Sequence, residues 1–213
     1  MVKSTSRNAQ KKNSLSPGAD QASSKSSIRA IFLVGFMGAG KSSVGRALAG
    51  SLNFEFEDLD DRIERIEGRS IAEIFRTAGE AEFRRIERKA LRQILQELAG
   101  GEMKVVGLGG GAFVQPENAE QLESAGVLTV FLDAPVAELW QRCVKQAEEQ
   151  GLSRPLLQSA EQFGLLCDQR RSSYIKATLR IETGGRTVAE IAREIAEVMK
   201  NQKLGREKEG WPQ

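Results

Sequence analysis

The chain has 213 residues, 40% of them hydrophobic and 28% charged, which is enough apolar content for one core and too little length for two full domains. Histidine is absent, so a Ser-His-Asp triad, a histidine general base and histidine-ligated zinc are all excluded. The net charge of +2 is unevenly spread: Lys3, Arg7, Lys11, Lys12 and Lys25 against Asp20 give residues 1–27 a net +4, and Lys203, Arg206 and Lys208 against Glu207 and Glu209 give 201–213 a net +1, which leaves 28–200 at −3. A mildly acidic body argues against a nucleic-acid-binding surface.

Residues 1–27 are rich in Ser, Lys, Asn and Gln and have no apolar run, which predicts a disordered basic tail rather than a secretory signal. Ile31 to Val34 is a continuous apolar run ending at Gly35 and reads as a buried parallel strand. Val44, Leu48 and Leu52 mark a helix over 41–52, and 54–57 a second strand. Over 79–99, Phe83, Ile86, Ala90, Ile94 and Leu98 recur every three or four positions and predict the longest helix. A strand at 104–107, a helix at 116–124, a strand at 127–132 and a helix at 135–149 follow. The stretch 150–158 breaks the alternation and is expected to be a mobile lid; helix 159–177, strand 178–182 and a last helix through Val198 complete the body, with 201–213 read as a flexible tail. This alternation predicts a three-layer α/β/α domain over 28–200 with a five-stranded parallel sheet. No window reaches the ~18 to 20 apolar residues of a membrane span. Cys143 and Cys167 form no CxxC, which suits a reducing, cytoplasmic setting.

The first chemical signal is Gly35-Phe-Met-Gly38-Ala39-Gly40-Lys41-Ser42-Ser43, a GxxxxGK[ST] sequence between the first strand and the first helix. The glycines let backbone N–H groups turn inward around phosphate oxygens, and the helix N-terminus adds its positive end. Lys41 then reaches the β- and γ-phosphates of a nucleotide, and the Ser42 hydroxyl is a Mg²⁺ ligand. Asp58 and Asp60 follow the second strand, and alternation would set both on one side of its carboxyl end, although Asp60 or Asp61 could equally cap a helix before Ile63. Arg84 and Arg85 could be substrate ligands or a solvated charged face. Gly109, Gly110 and Gly111 invite close approach of backbone to a ligand, or form a flexible turn.

Taken in order, GFMGAGKSSVGRALA (35–49), FEDLDDRIE (56–64), GRSIAEIFRTAGEAEFRRIE (68–87), GLGGGAF (107–113), VFLDAP (130–135) and SRPLL (153–157) resemble shikimate kinase from about residue 29 to 200. The resemblance implies a P-loop kinase fold with a lid and a substrate-binding helical segment, ATP and shikimate as the only partners, and a monomer. It implies that Asp58 and Ser42 hold Mg²⁺ and that Asp60 binds the attacking hydroxyl and takes its proton. Arg84 and Arg170 would bind the shikimate carboxylate with support from Glu87, and Gly109 to Gly111 would lie against the ring. Lys41 and Arg154 would stabilise the transferred phosphoryl group, with Gly38 to Ser43 around the phosphates. Arg142 and the Thr183–Arg186 turn would flank adenine. Where the family has R-x-P-L-Y, this chain has Arg170-Arg171-Ser172-Ser173-Tyr174; the spacing to the tyrosine selects Arg170, and Arg171 is the alternative. The stretch from Val144 to Leu152 is a few residues longer than usual. Other small-molecule kinases of this fold, and a noncatalytic binding protein, are the competing readings; the presence of Lys41, Asp60 and Arg154 argues against the last.

Overall fold

The protein is described by a computed structural model over residues 28–150 and 159–208. The basic tail 1–27, Arg154 with the rest of 151–158, and residues 209–213 lie outside the described residues. Five strands, β1 (Ala30–Val34), β2 (Glu55–Asp58), β3 (Lys104–Gly107), β4 (Leu128–Asp133) and β5 (Leu179–Glu182), form one parallel sheet in the order β2-β3-β1-β4-β5. The helices are α1 (Lys41–Leu52), α2 (Leu59–Glu67), α3 (Ile71–Ala99), α4 (Pro116–Ser124), α5 (Val136–Gln150), α6 (Ala160–Tyr174) and α7 (Val188–Lys208), with a 3₁₀ turn at Ala112–Val114.

Every residue of β1, β3 and β4 is buried, as expected of interior strands covered on both faces, whereas the edge strands β2 and β5 are only partly covered. Successive side chains of β2 reveal the two layers. Phe56 packs toward Gly45 of α1, where a β-carbon would lie 2.2 Å from the ring, and the next residue, Glu57, pairs with Arg62 of α2. The core runs through Phe32, Leu33, Leu48, Ile63, Ile94, Val130 and Ile195; each such burial contributes about 1.5–3 kcal/mol.

Four expectations are corrected. Helix α2 follows directly from β2, so Asp60 sits in a helical first turn and strand alternation does not set its side relative to Asp58. The cap of that helix is Asp58, whose carboxylate accepts from the Asp60 N–H at 3.0 Å, and neither Asp60 nor Asp61 is the cap. The helix expected over 79–99 starts at Ile71 and bends at Gly79, which has φ 80° and ψ 173° inside it. The last helix continues to Lys208, so most of the expected C-terminal tail is helical.

Adjacent strands β1 and β3 lead to opposite layers: β1 runs into α1, while β3 runs through the 3₁₀ turn into α4, which packs with α3. The crevice at their carboxyl ends is the place where open parallel sheets bind ligands.

Candidate active site

The loop after β1 is held in shape by glycine. Gly35, Gly38 and Gly40 have φ of 144°, 80° and 85°, in the region that costs glycine least. Gly38 also lies where a β-carbon would come 2.7 Å from the Leu139 carbonyl and 2.8 Å from the Cys143 sulfur, so α5 packs directly on the loop. The Lys41 ammonium turns back to donate to the carbonyls of Gly35 (2.9 Å) and Phe36 (3.0 Å). Burial lowers its pKa, and the nearby carboxylates of Asp60 and Asp58 oppose that shift.

Beside the loop, the Ser42 hydroxyl donates to Asp58 Oδ2 at 2.8 Å. Asp60, two residues beyond the cap, is carried inward. Burial and the Asp58 carboxylate push its pKa up to about 6, with Lys41 pulling the other way.

The loop after β3 forms the facing wall. A β-carbon at Gly109 would lie 2.6 Å from Asp60 Oδ1, and one at Gly111 would lie 2.8 Å from both terminal nitrogens of Arg84. Gly110 presents its carbonyl to Arg170 Nη1 at 3.3 Å and to the Tyr174 hydroxyl, and its Cα side faces the Met37 N–H. A three-residue backbone thus touches Asp60 from α2, Arg84 from α3, Arg170 from α6 and the phosphate-type loop.

Arg84 is fixed before any ligand arrives. Its Nη1 lies 3.1 Å from Glu87 Oε2 and its Nη2 3.0 Å from Glu80. Glu87 is 1% exposed; burial raises its pKa and the Arg84 charge counteracts the rise. Arg170 stacks over the Phe36 ring at 5.6 Å. Arg171 points elsewhere, to Asp133 Oδ2 at 2.5 Å.

On the remaining side, Arg142 donates to Glu138 at 2.8 Å and reaches toward the Gly38 carbonyl at 3.5 Å. Glu138 also accepts from the Gly185 N–H at 3.3 Å, so one carboxylate joins α5 to the Thr183–Arg186 turn.

The sequence model of the shikimate kinase family matches residues 37–200. The shikimate kinase of Geobacter metallireducens is 43% identical over 176 residues, covering 81% of this chain and 93% of that one. This chain belongs to the shikimate kinase family. The shikimate kinase from Acinetobacter baumannii in complex with shikimate superposes with a TM-score of 0.73 at 35% identity, over 83% of this chain and 96% of that one. A gluconokinase from Sinorhizobium meliloti, at 19% identity and a TM-score of 0.51 over 84% of this chain and 98% of that one, shares the fold alone.

Of the residues that the family resemblance singles out, Lys41, Ser42, Asp58, Asp60, Arg84, Glu87, Arg170 and the three glycines converge on one crevice, Arg142 lines its far end, and Arg154 lies outside the described residues. Three contributors were given no role by the sequence reading. Tyr174, the single tyrosine of the chain, anchors α6 to Gly110. Buried Asn118 donates to the Ala112 carbonyl at 3.0 Å and holds the turn that follows the glycines. Glu138 ties Arg142 to the 183–186 turn. Tyr174 alone had a visible signal, its spacing from Arg170.

Proposed function

We propose that this chain transfers the γ-phosphoryl group of ATP to the 3-hydroxyl of shikimate, giving shikimate 3-phosphate and ADP. The observation that carries this reading is the gathering of one carboxylate, Asp60, and two guanidinium groups, Arg84 and Arg170, on the Gly109–Gly111 backbone beside the Lys41 loop. A hydroxylated ring bearing a carboxylate needs that set: paired arginines give planar, charge-assisted recognition of the carboxylate, and exposed backbone admits the ring.

Phosphoryl transfer passes through a loose transition state, so the protein chiefly positions groups and stabilises charge. Gly38, Ala39, Gly40 and Ser43 are assigned to the phosphates on the loop motif, the Ala39 N–H giving up the Phe36 carbonyl that it meets at 3.2 Å, and Lys41 exchanges its two carbonyl partners for phosphate oxygens. Asp60 accepts a hydrogen bond from the attacking hydroxyl. With a pKa of about 6 it is far too weak a base to remove an alcohol proton in advance, so it takes the proton late, as the new P–O bond forms. Glu87 keeps Arg84 pointed at the acceptor. Arg142 and the Thr183–Arg186 turn flank the adenine, and Arg154 is assigned to the phosphates on the family resemblance alone.

Mg²⁺ is the metal of this reading. Ser42 Oγ and Asp58 Oδ2 are hard oxygen donors 2.8 Å apart, and among the described residues there is no cluster of three acidic or cysteine side chains to form a dedicated cage. Such a sparse oxygen set fits Mg²⁺, which keeps waters and phosphate oxygens around it. When bound, it neutralises charge on the β- and γ-phosphate oxygens.

Two buried thiols support a cytoplasmic enzyme, and no helix among the described residues is long and apolar enough to cross a membrane. It is taken to act as a monomer, which sedimentation of the active fraction checks. The function is tested by ADP release from Mg-ATP in the presence of shikimate, quinate, gluconate, AMP or CMP in parallel. Release with shikimate, abolished in Asp60→Asn, is expected; release with a different acceptor alone would overturn the acceptor assignment.

A further inference from the structure

Helix α6 carries two adjacent arginines, and only one of them enters the crevice. Its contacts with the sheet explain the difference. Tyr174 lies over the Phe131 ring of β4, with centroids 5.4 Å apart, and its hydroxyl donates to the Gly110 carbonyl. Arg170, four residues earlier and so on the same helical face, reaches the same carbonyl. Arg171 stands about 100° further round the helix and meets Asp133, two residues beyond Phe131 on the same face of β4.

Asp133 is well placed to hold it. Its side chain is 10% exposed and its Oδ2 also accepts from Arg180 Nε of β5 at 2.8 Å. Its carbonyl accepts from the Thr183 N–H at 2.7 Å and the Thr183 hydroxyl at 3.2 Å, which pins the end of β4 from the other side. A buried carboxylate held in this way is a fixed reference point for α6.

We infer that Asp133, acting through Arg171, is a positioning residue for the acceptor: the pair sets the roll of α6 so that Arg170, and not its neighbour, is presented at Gly110. This rests on the function proposed above and adds to it residues that touch neither substrate. A helix that rolled by one residue would bring Arg171 toward the crevice, lift Tyr174 off Phe131 and misplace the guanidinium that binds the acceptor carboxylate.

The test uses Arg171→Met, Asp133→Asn and the double variant in the full chain. Arg171 is 39% exposed, so its replacement should fold. Each single variant is expected to raise the KM for shikimate about tenfold while the KM for ATP stays within twofold. The double variant should be no worse than Asp133→Asn, because one interaction is removed twice. Hydrogen exchange, which needs no turnover, should quicken over 167–174 in Arg171→Met and stay unaltered in α7. An unchanged KM for shikimate, an equal rise in both KM values, or unchanged exchange over 167–174 would each overturn the inference. A wild-type chain inactive on shikimate would instead remove the proposed function, and the exchange result would still decide the roll of α6.

Discussion

The Ser42 hydroxyl donates to Asp58 Oδ2 at 2.8 Å while the other oxygen of the same carboxylate caps α2 through the Asp60 N–H at 3.0 Å. One side chain therefore serves the phosphate loop and fixes the start of the helix that carries the candidate base. The two roles separate in Asp58→Asn. Asparagine is as good a helix cap as aspartate, so stability should change by less than about 1 kcal/mol. Loss of the charge should raise the Mg²⁺ concentration for half-maximal activity by at least about tenfold, the lower end of what lost support at a metal site costs. A Mg²⁺ titration of kcat together with a thermal melt reads both.

Asp60 gives opposite signs for activity and stability. Its pKa in the folded chain is about 6, raised from 3.8 by burial and by Asp58. The ionised form is the one that accepts the hydroxyl proton, so kcat/KM for shikimate should fall below about pH 6. For stability, the folded state binds this proton more tightly than the unfolded state. The Asp60 contribution is therefore fully present below pH 3.8 and is lost as pH rises through about 6. At pH 8 the ionised group opposes folding, and Asp60→Asn should stabilise the ligand-free chain by on the order of 3 kcal/mol, from 1.36 kcal/mol per pKa unit, while abolishing turnover. A melt at pH 8 that shows Asp60→Asn no more stable than wild type would contradict the burial argument.

The glycines after β3 predict a graded effect of one methyl group. At Gly109 it would press on Asp60 Oδ1 at 2.6 Å and at Gly111 on the Arg84 guanidinium at 2.8 Å, whereas at Gly110 the nearest atom is Arg170 Nη1 at 3.6 Å, an ordinary contact. Asp60 is a short side chain tied to the start of its helix, whereas Arg84 is a long one that can give by a few tenths of an ångström while keeping its Glu80 and Glu87 partners. Gly109→Ala should lower kcat at least about a hundredfold, the scale of losing general-base assistance. Gly111→Ala should chiefly raise the KM for shikimate, and Gly110→Ala should fall between wild type and Gly111→Ala. Steady-state kinetics of the three variants with ATP saturating give the order.

What could be read from the sequence follows from what each element is made of. The interior strands were plain because Ile31 to Val34 is apolar throughout and Val127 to Leu132 is apolar but for Thr129, and the phosphate-type loop was plain because its spacing is local. Helix α2 was not. Its sequence LDDRIERIE has few apolar residues, and the side chain it buries beside Leu59 and Ile63 is Arg62, made tolerable by carboxylates from β2 and α3 that no local pattern reveals. What turns Arg171 away from the crevice was hidden for the same reason, since its partner Asp133 lies 38 positions earlier. Spacing to Tyr174 pointed to the same residue that the geometry puts in the crevice. Residues 71–78 ahead of Gly79 were missed because the regular apolar repeat begins only at Phe83.

The ion cluster under α2 controls the acid limb of stability. Arg62 pairs with Glu57 at 2.9 Å and with Glu97, and Lys104 reaches Glu97 at 2.8 Å and Glu57 at 3.0 Å. Hydrogen bonds from Arg62, and then from Lys104, hold the Glu97 carboxyl down to about 2. Burial alone would raise Glu57, but Lys104 and Arg62 together bring it below its ordinary value. For these depressed carboxylates the stabilising contribution is complete above pH 4.5 and is lost as pH falls toward about 2. Asp60 acts the other way between pH 6 and 3.8. Wild-type stability should therefore pass through a maximum in weak acid and then drop steeply. Glu97→Gln should keep the Asp60 limb above the maximum and flatten the drop below it, at the cost of a lower melting temperature near neutrality, where Arg62 and Lys104 lose a partner. Melting curves of both proteins from pH 8 to pH 2.5 decide the matter: parallel acid limbs would show that this cluster does not govern acid unfolding.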